Sequence, residues 1–179
     1  MKVRHSESLI LIWRLAELEA RNLNAANIEP VHLMLGLCKS VDLDLPSLVQ
    51  KDSLDVLEEL LREVRRLRTV FRAAGLDACA FRRALRGKCG CKLVAPPASE
   101  RLRRSKEAKR IFADAEHFAE LAGSVVFPVH LLYAVVSVAD EVRDDLLDAM
   151  GVELVRLRAV AKREVAFPWE GEKPQAGWN

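Results

Sequence analysis

Cys79, Cys89 and Cys91 are the residues of this chain with the most specific chemistry on offer. Three thiolates from them, with His5, His32 or His117 as a fourth ligand, would satisfy a tetrahedral zinc ion. The Cys-Gly-Cys spacing is not the Cys-x-x-Cys of structural zinc sites, and no second pair exists, so no metal is expected. A redox-sensitive thiol pair is the other chemistry these cysteines could perform. No His-Glu-x-x-His is present, and the one Gly-Lys pair, Gly87-Lys88, is followed by Cys89 rather than Ser or Thr, so no phosphate-cradling loop exists. The spacings give no Ser-His-Asp or Cys-His arrangement either. The expectation is a protein that is not an enzyme and needs no cofactor.

A second possible chemistry is anion binding. The net charge is only +2, but Arg62 to Arg110 holds 16 Lys/Arg and 4 Asp/Glu, a local +12, which leaves 12 basic and 22 acidic residues elsewhere. Arg62, Arg65, Arg66, Arg68 and Arg72 would fall on one broad helical face, joined by Arg82, Arg83 and Arg86. A phosphate backbone or an acidic partner could read such a stripe. The same stripe is also what the solvated faces of several helices look like. Aromatic residues are not interleaved with it, so nucleic acid is the alternative rather than the leading partner.

The elements that must position these residues come from a duplicated pattern. Ile28-Glu29-Pro30-Val31-His32-Leu33-Met34-Leu35-Gly36-Leu37 returns as Val126-Phe127-Pro128-Val129-His130-Leu131-Leu132-Tyr133-Ala134-Val135. Each copy follows an amphipathic stretch. Leu9, Ile12, Trp13, Ala16, Ala20 and Leu23 form the first stripe, with Ser6 placed to cap it. Ala108, Ile111, Phe112, Ala115, Phe118, Ala119 and Ala122 form the second. Asn22–Asn27 and Gly123-Ser124 read as the breaks between helices. Proline suits the first turn of the apolar helix that follows. His32 and His130 stand at that turn, where an imidazole can satisfy free backbone N–H groups or pack between helices. Both copies then close a short helix at glycine, Gly75 and Gly151, before a last helix, Ala78–Leu85 or Leu154–Glu164.

Four helices per copy, eight in all, make an all-α domain. The two copies differ by about 22 residues, because Pro30 to Gly75 spans 45 positions and Pro128 to Gly151 spans 23. The surplus falls within 39–68 and carries a helical stripe of its own, Leu54, Leu57, Leu60, Leu61 and Val64. The expected organisation is a first repeat over 1–88 with that insertion, a linker over 89–104 broken by Pro96-Pro97, a second repeat over 105–165, and a flexible tail over 166–179. No apolar run reaches membrane-spanning length, the N-terminus does not read as a secretory signal, and the four cysteines form no disulfide framework. A cytoplasmic protein is expected.

Paired modules of amphipathic helix, short loop, Pro-x-His-Leu helix and Gly-Val/Leu-Asp/Glu resemble the N-terminal domain of Clp-type AAA+ unfoldases, the first copy being especially similar to the ClpB version. The resemblance covers Ser6–Gly36, Val70–Leu85 and Ser105–Glu164, and the ATPase modules of those proteins have no counterpart in the chain. It implies a pseudo-twofold eight-helix bundle that performs no chemistry and captures substrate polypeptides or adaptors. ClpC-like members bind phosphoarginine through the Glu preceding each motif histidine; here those positions are Val31 and Val129, and valine cannot hold a guanidinium. The resemblance therefore implies an apolar or unfolded polypeptide segment, or docking to a Clp ATPase or adaptor, with Val31, Val129 and His117 at the contact surface. Either a free-standing protein of this kind or an isolated domain would carry the pattern.

Overall fold

A computed structural model describes residues 4–48, 54–90 and 102–166. Helix α1 (Glu7–Asn22) starts where the Ser6 hydroxyl accepts from Leu9 N–H, and its apolar stripe buries Leu9, Ile12, Ala16 and Ala20. Asn24 then takes a left-handed conformation (φ 53°), a role its counterpart in the second repeat gives to Gly123 (φ 64°). Strand β1 (Asn27–Ile28) leads into α2 (Pro30–Ser40), which is buried from His32 to Cys38 and again at Ser40. A four-residue turn of helix, α3 (Leu45–Leu48), precedes α4 (Leu54–Ala73) and α5 (Ala78–Cys89). The second repeat follows with β2 (Arg103–Arg104), α6 (Lys106–Leu121), α7 (Pro128–Ser137), α8 (Glu141–Ala149) and α9 (Leu154–Ala166).

The fold is all-α and duplicated, as the repeated pattern implied. The insertion does not stand apart, however. Its leucine stripe continues through Val64, Leu67, Val70 and Phe71, so the expected insertion helix and the short helix before Gly75 are one helix, 20 residues long against 9 in α8. No proline or glycine lies between Leu54 and Ala73 to divide them. Helix α5 likewise runs to Cys89 rather than Leu85. The expected linker is partly taken up by the end of α5 and by β2, while its residues 91–101, with Cys91 and Pro96-Pro97, and the tail from Phe167 lie outside the described residues.

The two repeats are tied by parallel pairing that the sequence reading missed. Ile28 pairs with Arg104, and His5 bridges to Val126. The residue ahead of each repeat's first helix is thus bonded to the approach of the other repeat's second helix. Ser6 N–H donates to Val126 O at 3.1 Å, Val126 N–H to Arg4 O at 2.8 Å, and Ser105 N–H to Ile28 O at 3.0 Å. Two-residue ladders leave no alternation of apolar and polar residues to read. Helices α2 and α7 lie centrally and touch each other, α2 packed by α1 and α5 and α7 by α6 and α9. At the closest approach of α1 and α2, a Cβ added to Gly36 would lie 2.8 Å from the Ile12 carbonyl oxygen.

Candidate protein-binding surface

Each motif histidine has a structural duty. His32 Nδ1 accepts from Glu29 N–H and His130 Nδ1 accepts from Phe127 N–H, both at 2.9 Å, satisfying the amide just ahead of each apolar helix. With Nδ1 accepting, the proton of neutral His130 sits on Nε2, which is buried and finds no hydrogen-bond partner among the described residues. Burial, helped by the charge of Arg66, lowers the pKa of His130 to about 4, so the imidazole is neutral at physiological pH.

Of the three positions expected at a contact surface, His117 is exposed on α6 and Val31 is half-buried at the start of α2. Val129 is not available. It is 1% exposed, because α7 is more deeply enclosed than α2, and its role is to fill the core. The neighbours of His117 are more informative than the valines. Its ring lies 6.2 Å from Phe118, which is 4.8 Å from Tyr133 of α7, and both aromatics are only partly buried. Leu121, on the α6 turn beyond His117, is 73% exposed. With Leu121 exposed and both aromatics partly so, the C-terminal end of α6 presents an apolar surface that the described residues leave partly open.

The arginines divide. Arg66 turns to α9, where Nε donates to Glu164 Oε2 at 2.8 Å and a terminal nitrogen donates to the Glu164 carbonyl. Arg68 donates to the Val41 carbonyl near the end of α2. Arg82 and Arg86 turn inward on Glu19, a carboxylate at 0% exposure that also faces Lys39 at 3.6 Å. Arg82 reaches Asp42 as well. Arg62, Arg65 and Arg72 remain exposed, with Arg62 3.7 Å from Glu59. The single broad face expected for nucleic acid is thus partly spent on holding α4 to α9 and α5 to α1 and α2. The cause is that α4 has neighbours on several sides, so i, i+3 spacing alone overstates what solvent sees.

Two further buried groups escaped the sequence reading. Arg143, at 1% exposure, donates to the carbonyls of Val135 and Val138 at 2.7 Å each and pairs with Asp144 at 2.6 Å, satisfying the C-terminal end of α7. Glu63 accepts from the Ser6 hydroxyl at 2.6 Å across 57 residues of sequence. Burial pushes the Glu63 carboxyl up to about 7, against the Ser6 and Ser8 hydroxyls that favour its charged form. Cys79 and Cys89 stand at opposite ends of α5, ten residues or roughly 15 Å apart along the axis. They cannot share a zinc ion. Among the described residues, no group of three His, Cys, Asp or Glu could hold a metal, and no helix is long and apolar enough to cross a membrane.

No family model matches the chain, and no curated protein matches it by sequence. Solved structures do. A structure from preliminary investigations of a malarial protein secretion system aligns with a TM-score of 0.64 at 18% identity, over 90% of this chain and 95% of that one. The Hsp104 N-terminal domain from Candida albicans gives 0.64 at 15% identity, over 92% and 94%. The N-terminal domain of the caseinolytic-protease-associated chaperone ClpD from Arabidopsis thaliana gives 0.61 at 17% identity, over 92% and 96%. Near-complete coverage in both directions, with the duplicated motif helices at the centre, leaves one conclusion: this chain has the fold of a Clp-type N-terminal domain.

Proposed function

We propose that this protein is a non-enzymatic binding module of protein quality control that captures unfolded or apolar polypeptide segments or itself docks to a Clp ATPase or adaptor. The observation that carries this is the partly open apolar surface at the end of α6, formed by Phe118, Leu121 and Tyr133 beside His117. A folded domain gains nothing in stability from leaving Leu121 in water, whereas a partner surface gains by covering it. Val31 is a second candidate contact, while Val129 supports the helix from within. The fold adds weight, since the structures it matches include the N-terminal domains of Hsp104 and of the chaperone ClpD.

The test is binding of a permanently unfolded model polypeptide to the wild type and to Leu121→Asp, His117→Asp and Val31→Asp. Loss of about tenfold or more in affinity on Leu121→Asp, with an unchanged circular dichroism spectrum, is the expected result. Undiminished binding by all three variants rejects this surface. Salt-sensitive retention on DNA, abolished by reversing Arg62, Arg65 and Arg72 to Glu, would instead favour a nucleic-acid regulator.

A further inference from the structure

Arg104 and His5 occupy the same place in the two repeats. Each directly precedes the serine that caps its repeat's first helix, and each pairs with the approach to the other repeat's second helix. His5 has a carboxylate partner, its Nε2 lying 3.0 Å from Glu116 Oε1 on α6. The counterpart of Glu116 in the first repeat is Glu17. That carboxylate is held by its own helix, by Arg21 at 3.0 Å and Arg14 at 3.6 Å. Arg104 lies instead over two rings, its guanidinium carbon 5.4 Å from the Trp13 centroid and 5.0 Å from that of Phe112. Trp13 and Phe112 are themselves equivalent residues, meeting edge-to-face at 5.5 Å between the repeats.

We propose that Arg104 is a carboxylate receptor on the seam between the repeats, selecting polypeptide segments in which an acidic side chain lies beside an apolar one. This rests on the protein-binding function proposed above and names the chemistry of what is bound. The rings attract the cation but offer its N–H groups no oxygen or nitrogen acceptor, so the donors of Arg104 are left for a ligand. Among the described residues no carboxylate takes them. The two ring contacts also restrict the side chain before any ligand arrives, so less of its freedom is lost on binding. Ile10, 43% exposed and one turn ahead of Trp13 on α1, offers a contact for the apolar neighbour.

The probes are three fluorescent, unstructured Leu/Phe/Ser peptides: one with a single Glu and an amidated C-terminus, its Gln counterpart, and the Gln peptide with a free C-terminal carboxylate. Wild type should bind the Glu peptide about five- to tenfold more tightly than the Gln amide. Arg104→Met should erase that preference without weakening binding of the Gln amide, and Arg104→Lys should keep only a fraction of it. Equal affinity for the Glu and Gln amides, or a preference that survives Arg104→Met, overturns the proposal. An equal gain from the free C-terminus overturns the assignment to acidic side chains, and Arg104-dependent binding of an oligonucleotide reassigns the residue to phosphate. Titration with glutarate, followed at the Arg104 Nε–H resonance, decides the receptor separately from polypeptide capture. A shift with no peptide bound rejects capture alone. Resonances that respond to Glu17→Gln but not to glutarate reject the receptor.

Discussion

Two buried titratable groups pull the pH dependence of stability in opposite directions. Glu63 has a folded pKa of about 7, above its ordinary 4.5, so the stability it contributes is fully present below 4.5 and is lost as pH rises through 7. His130 has a folded pKa of about 4, below its ordinary 6.5, so its contribution is present above 6.5 and is lost as pH falls through 4. Between pH 4.5 and 6.5 the two slopes nearly cancel. Glu63→Gln, which can still accept from Ser6, should therefore unmask the histidine. Its thermal midpoint should fall on acidification from pH 6.5 to 4 more steeply than that of the wild type. At pH 8 and above the variant should be more stable by about 1–3 kcal/mol, since each pKa unit is worth about 1.4 kcal/mol. A melting temperature at pH 8 no higher than that of the wild type would refute this. The histidine's duty was legible in the sequence, because a residue three positions beyond the cap has few partners but the cap amide. Glu63 was not, because a glutamate in a charged helix reads as solvated, and the serine that buries it is 57 residues away.

At the scale of elements, spacing revealed the stripes, the caps and the glycine stops, while lateral packing decided which polar face each helix keeps. Arg66 and Arg82 sit where a lone helix would show them to water, and both are held by neighbouring helices instead. Glu19 joins three helices in this way. Its contacts of 3.1–3.6 Å with Arg86, Arg82 and Lys39 are ion pairs rather than aligned hydrogen bonds. Because each cation is partly exposed and the carboxylate is not, Glu19→Gln should cost on the order of 2–4 kcal/mol, read as a lower urea midpoint with an unchanged slope. The α1–α2 contact makes a sharper prediction. The atoms facing Gly36 are backbone, the Ile12 carbonyl at 2.8 Å and the Ala16 nitrogen at 3.0 Å, so they cannot rotate away. Gly36→Ala should lower the melting temperature by several degrees, about 1–3 kcal/mol, although alanine is the better helix former. The corresponding position in α7 is already Ala134, and there the change to glycine should be milder.

At the scale of the whole molecule, the duplication was legible but the way its halves interlock was not. A repeated word shows that two units are alike; it does not show that each lends a strand to the other. The pairings of Ile28 with Arg104 and His5 with Val126 cross between repeats, and α2 and α7 bury their surfaces partly against each other. Neither repeat is therefore expected to fold alone. Fragments 1–90 and 102–179 should each show weak, non-cooperative melting alone and regain a single cooperative transition when mixed. A cooperative transition in the first fragment by itself would show that the crossed pairings contribute little.

The crossed pairing also has a consequence for the order of synthesis. His5 leaves the ribosome well before its partner Val126, which is made 121 positions later. At about 5–20 residues per second the wait is roughly 6–24 seconds. For that interval α2, apolar on nearly every side, has no α7 to lean on. The nascent first half then exposes apolar surface that the finished fold covers, and slowed translation should lower the yield of native protein, read as the soluble fraction after expression.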